Sequence, residues 1–128
     1  MREILFRAKR LDNREWIEGD LVHAPDGRTA ISTYDDLVET VPETVCQWTG
    51  LTDKDSRKIF EGDILEYTVL GEGSKSNYCV FWDEVKLEWG VREVNLGGID
   101  DFQYWDFKDW EVIGNIFDNP ELLQGTGT

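Results

Sequence analysis

Histidine occurs once, at His23, methionine once, cysteine twice and proline three times in 128 residues, and 13 basic side chains face 27 acidic ones. A single histidine excludes metal centres built on several imidazoles, and no hydroxyl or thiol has an evident local partner for nucleophilic catalysis. His23 reads as a surface or strand-end residue. Cys46 and Cys79 could pair, but two cysteines in a chain long enough to build its own core make no disulfide framework, and both read as buried thiols. The formal net charge of −14 argues against direct binding to nucleic acid or to a membrane surface, since each needs basic groups to meet phosphates. No apolar run approaches the roughly 20 residues that span a bilayer, and Met1-Arg2-Glu3 leads straight into a strand-like pattern rather than a signal sequence. A soluble protein of the cytoplasm is the expectation.

The charge is segregated. Residues 1–14 carry five basic and two acidic side chains, so the other 114 residues hold 25 acids against eight bases. Spread over a folded surface of roughly 7,000 Å² the net charge is about one per 500 Å², against roughly one per 100 Å² on a DNA duplex. Mimicry of DNA by carboxylates would therefore require the acids to gather on one face.

What the chain has in quantity is period-two alternation of apolar and polar residues, the pattern of strands with one buried face. Ile4, Phe6 and Ala8 alternate with Leu5, Arg7 and Lys9. Asp12-Asn13 supplies a turn before Trp16-Ile17 and Leu21-Val22 resume the pattern, which predicts a hairpin. Pro25-Asp26-Gly27 marks a second turn, 29–33 another strand, and Pro42 puts the β-branched stretch from Val38 to Val45 at an edge or a break. Residues 63–70 read as a strand, 71–77 as a connection, and Tyr78, Val80 and Trp82 as one face of the next strand. Leu87, Trp89 and Val91 read as a face of another, and 112–116 as the last. Asn119-Pro120-Glu121 predicts a short C-terminal helical turn, with Asn as its cap and Pro in its first turn.

An internal repeat stands out. Residues 12–22 (DNREWIEGDLV) and 55–65 (DSRKIFEGDIL) share Asp-x-Arg-x-apolar-apolar-Glu-Gly-Asp-apolar-apolar without gaps. The pattern predicts a supersecondary unit used twice, reversing at Glu18-Gly19-Asp20 and Glu61-Gly62-Asp63, where glycine takes positive φ without a Cβ penalty. These acids could also bind a hard cation and so serve a metal-dependent hydrolase, although Gly-Asp turns entering strands are the plainer reading. Asp53-Lys-Asp55 begins like a calcium loop but places Lys58 at the glycine position and Ile64 where a bidentate glutamate belongs. The 71–76 run lacks the spaced Gly-Lys pair of a phosphate loop. No catalytic residue, cofactor or metal ligand is assigned, and a non-enzymatic protein is expected.

The candidate surface is 100–111, DDFQYWDFKDWE. It interleaves Phe102, Tyr104, Trp105, Phe107 and Trp110 with Asp100, Asp101, Asp106 and Asp109. Aromatics of this kind anchor protein interfaces, and a ring of acids would steer a basic partner; the same aromatics could instead fill the core.

Three stretches, ILFRAKRLDNREWIEGDLV (4–22), QWTGLTDKDSRKIFEGDILEY (47–67) and WEVIGNIFDNPELL (110–123), together resemble the YopX family of phage and prophage proteins. Trp48, Phe60 and Phe117 stand where that family often has tyrosine, and Ser56 where a turn glycine is common. The resemblance implies a mainly β fold with small SH3-like or partly open barrel character and a phage or prophage origin, and it brings no established activity. The expected organisation is one compact β domain over 1–124 with a frayed 125–128 tail, or two β subdomains divided near 45–55 or 71–77. The leading functional reading is an accessory protein that binds a phage or host protein. An acidic DNA mimic and a carboxylate-metal hydrolase are the alternatives, and an open strand edge near Pro42 leaves room for a homo-oligomer.

Overall fold

The structure, a computed structural model, describes residues 3–68, 75–94, 99–101 and 109–124, and of Thr68, Ile99, Asp100, Asp101 and Gln124 the backbone alone. It is mainly β, as the alternation predicts, with two antiparallel sheets, neither of them closed. The chain forms two compact units, Met1–Gly50 and Leu51–Thr128.

In the first unit, β1 (Phe6–Lys9), β2 (Trp16–His23), β3 (Thr29–Ser32), β4 (Leu37–Thr40) and the start of β5 (Cys46–Thr52) follow the order β4-β3-β2-β1-β5; β6 (Lys58–Phe60), the neighbour of β5, falls in the second. The predicted β1–β2 hairpin forms. Its turn is held by the Arg10 N–H donating to the Glu15 carbonyl at 2.8 Å and the Glu15 N–H donating to Asn13 Oδ1 at 2.9 Å. Alternation places Ala8, Ile31, Val38 and Cys46 inside, together with Thr29 and Thr40, whose hydroxyls satisfy each other at 2.9 Å. Pro42 breaks the strand into a 3₁₀ turn, Pro42–Thr44. After β4 the chain returns to the end of β1: the Val41 N–H donates to the Lys9 carbonyl at 2.8 Å, the Leu11 N–H to the Glu39 carbonyl at 3.0 Å, and Arg10 bridges Thr40. This sheet therefore curls into the partly open barrel that the short strands suggested.

In the second unit, β7 (Asp63–Thr68), β8 (Lys75–Asp83), β9 (Glu88–Glu93), β10 (Ile99–Asp101) and β11 (Trp110–Asn115) follow the order β10-β9-β8-β7-β11. Val80 and Val91, on faces assigned by period two, join Ile59, Leu65 and Trp110 in the core, with Tyr67, Tyr78, Trp89 and Val112 against it. The Tyr67 and Tyr78 rings lie 5.0 and 4.9 Å from the Trp110 ring. Chain end 120–124 is a 3₁₀ turn. The Asn119 side chain accepts the Asn115 N–H at 3.3 Å and donates to Glu121 Oε1 at 3.4 Å.

The repeat folds in two ways. Gly62 has φ +85°, its N–H donates to the Val80 carbonyl and its carbonyl accepts the Ile116 N–H, both at 2.9 Å, so Glu61-Gly62 is a turn stitched between β8 and β11. Gly19 instead lies inside β2, opposite Phe6, and a Cβ there would overlap the Ser32 carbonyl oxygen of β3. The expected reversal at Glu18-Gly19-Asp20 is thus replaced by a continuous strand. Glycine serves a positive φ in one copy and the close approach of a neighbouring backbone in the other.

Candidate functional site

The carboxylates that suggested metal chemistry are built into the scaffold. Asp53 is buried; its Oδ1 accepts the N–H groups of Asp55 and Arg57, both at 2.9 Å, and its Oδ2 accepts the Val112 N–H at 2.9 Å. The Lys54 N–H donates to the Trp110 carbonyl at 2.9 Å and Arg57 donates to the Val112 carbonyl at 3.1 Å. The loop that opens like a calcium loop therefore covers the free edge of β11, an edge that would otherwise offer unpaired backbone groups. Asp63, also buried, accepts the Phe60 N–H at 2.8 Å. Asn115 Oδ1 accepts the N–H groups of Phe117 and Asp118, each at 2.9 Å. Glu18 and Asp20 are exposed on the first unit, whereas Glu61 and Asp63 belong to the second. Among the described residues no three His, Cys, Asp or Glu side chains converge to hold a metal ion.

Of the 100–111 candidates, Phe102, Tyr104, Trp105, Asp106 and Phe107 lie outside the described residues. Asp100 and Asp101 are in β10, at the end of the second sheet, and Asp109 is exposed. Trp110 is completely buried. That removes it from any contact surface, because period two carries it to the inner face of β11 between two tyrosines. His23 is exposed at the end of β2, as expected. Neither cysteine forms a disulfide; Cys46 is buried, its thiol donating to the Thr44 carbonyl at 3.2 Å, and burial pushes the half-buried Cys79 thiol up, with Arg92 opposing in part.

The structure exposes apolar side chains elsewhere. In the second unit Trp82 pairs with Trp89 across β8 and β9, rings 5.1 Å apart and nearly perpendicular. Beyond them Asp83 Oδ1 accepts the N–H groups of Val85 and Lys86 at 3.0 and 3.1 Å, which fixes the 84–87 turn. Leu87 takes φ +56°, unusual for a branched side chain. It belongs to this turn and not to the face of β9, where alternation had placed it. Val85 is 93% exposed, Leu87 71% and Trp82 39%, with Asp83, Glu84 and Glu88 beside them. The sequence hid this tip because Val85 and Leu87 extend the period-two face of Trp89 and Val91 back into the turn, with no Gly, Asn or Pro to mark it.

In the first unit Leu37 is 62% exposed and Tyr34 wholly so. Leu37 stands on the outer face of β2–β3–β4: Asp20, Ser32 and Leu37 are in register, as are Val22, Ala30 and Glu39. Two recesses of about 310 and 340 Å³ open on either side of it.

No curated protein sequence matches the chain. Among solved structures, the crystal structure of protein EF1440 from Enterococcus faecalis is similar, with a TM-score of 0.55 and 22% identity over 96% of this chain and 99% of that one, a likeness of fold alone. The YopX protein family model matches residues 5–124, nearly the whole chain, and the chain belongs to the YopX family.

Proposed function

We propose that the chain is a phage- or prophage-encoded accessory protein, non-enzymatic, that acts by binding another protein, and that the 82–89 hairpin tip is a contact point. The observation that carries the reading is the exposure of Val85 and Leu87 on a turn fixed by Asp83. Large apolar side chains held in water on a braced turn lose little further freedom on binding, and they gain burial when a partner covers them. Asp83, Glu84 and Glu88, in a chain of net charge −14, favour a partner with a basic surface.

The test is capture from induced host lysate by full-length protein and by the double variant V85S/L87S, washed at low and at high salt. A protein retained by the wild type at both salts and lost from the variant, whose melting temperature is unchanged, is the expected outcome. Equal retention by both baits would overturn the contact assignment. A DNA-binding protein held by both and released by salt would favour carboxylate mimicry instead.

A further inference from the structure

We propose that the first unit carries a second docking surface, the two recesses beside Leu37, and that it takes a segment of a partner protein in which a basic side chain stands near a large apolar one. This shares with the reading above only the kind of ligand; it stands on a different unit and on different residues.

The two recesses differ chemically. The first, about 310 Å³, is lined by Val22, Ala24, Ala30 and Leu37, with Arg28 and Glu39. Arg28 is engaged by Asp26 at 2.8 Å, so the recess is mainly apolar and suits an aliphatic or aromatic side chain. The second, about 340 Å³, is lined by Arg10, Leu11, Asp12, Asp36, Leu37 and Glu39. Arg10 holds both Asp12 oxygens, at 2.9 and 2.8 Å, and the two charges cancel. Asp36 and Glu39 leave it negative over the apolar floor of Leu11 and Leu37. A lysine or arginine fits that combination, its methylene stem on the leucines and its head toward the carboxylates. Both recesses share Leu37 and Glu39, so one short segment can fill them together. Each is near the size at which ligand pockets begin, about 300 Å³.

Charge selects among occupants. Phosphates would be repelled by the second recess. A second copy of this chain could offer Val85-Lys86-Leu87, but Asp83, Glu84 and Glu88 beside Lys86 would face Asp36 and Glu39 with like charge. A basic partner segment remains.

The test is an amide NMR titration of the full-length protein with acetyl-Gly-Arg-Gly-Leu-Gly-amide, up to about 10 mM because so small a ligand binds weakly. Shifts concentrated in 10–12, 22–30 and 36–39 are expected, weakening about threefold or more between roughly 25 and 300 mM salt. A peptide with glutamate in place of arginine, one with serine in place of leucine, and the variant L37S should each bind about tenfold more weakly, and E39K should prefer the glutamate peptide. Absence of shifts, indifference to either peptide change, or no effect of L37S or E39K would overturn the proposal. Shifts confined to 82–89 would overturn it too, while supporting the hairpin tip; loss of the tip contact in the capture experiment leaves this titration unaffected.

Discussion

At the residue scale, the side chains that look chemically active in the sequence act mostly on the backbone. Asp53 is the clearest case, since one buried carboxylate accepts three backbone N–H groups from the 53–57 loop and from β11. Removing it orphans those donors inside the second unit, and D53A should cost about 3 kcal/mol, with D53N costing less because one oxygen survives. Urea unfolding curves read both values; a D53A protein as stable as the wild type would refute the role. Cys79 makes a smaller point. Burial raises its thiol, so the reactive thiolate is scarcer than at an exposed cysteine, and modification by iodoacetamide at about pH 8 should run slower than for a free thiol. Raising the pH should speed it.

At the scale of elements, the repeat shows how far a local pattern reaches. Glu-Gly-Asp appears twice, and in each copy a turn precedes an apolar pair, Trp16-Ile17 and Ile59-Phe60, although the left-handed residue is Arg14 in one turn and Ser56, one repeat position earlier, in the other. They diverge at glycine. Gly62 reverses the chain because Val80 and Ile116 are there to take its N–H and its carbonyl, whereas Gly19 runs straight because β1 and β3 flank it on both sides. Alanine should be costly at both for different reasons. At Gly62 the penalty is left-handed backbone, about 1–2 kcal/mol. At Gly19 the new methyl meets the Ser32 carbonyl and forces β2 from β3, a loss of about 2–4 kcal/mol. Thermal denaturation of G62A and G19A ranks them; if G19A is the milder, the close approach of β3 is not what selects glycine.

At the scale of the whole molecule, charge and the placement of apolar groups decide what the chain can meet. No helix among the described residues is long and apolar enough to cross a membrane. A net charge of −14 repels itself in the folded state, and screening should raise the melting temperature by a few degrees between low and roughly physiological salt. A flat response would mean that the acids are already compensated locally.

The sequence by itself determined the fold class, much of the alternation of buried and exposed faces, the hairpin at 12–13, the turn at 25–27, the break at Pro42 and the family, because period two and turn residues are local signals that every strand repeats. It did not determine where the surface apolar groups lie. Trp110 and Leu87 both stand in alternating, acid-rich runs, yet one fills the core between Tyr67 and Tyr78 and the other is held out by a left-handed turn. Nor could it distinguish Asp53 and Asp63 as backbone acceptors from candidate ligands, since their partners Val112 and Phe60 are brought to them by strand pairing and a turn. Only the tertiary structure decided these, because burial and hydrogen bonding depend on which strands become neighbours, and that is set by the packing of the whole sheet rather than by any stretch of it.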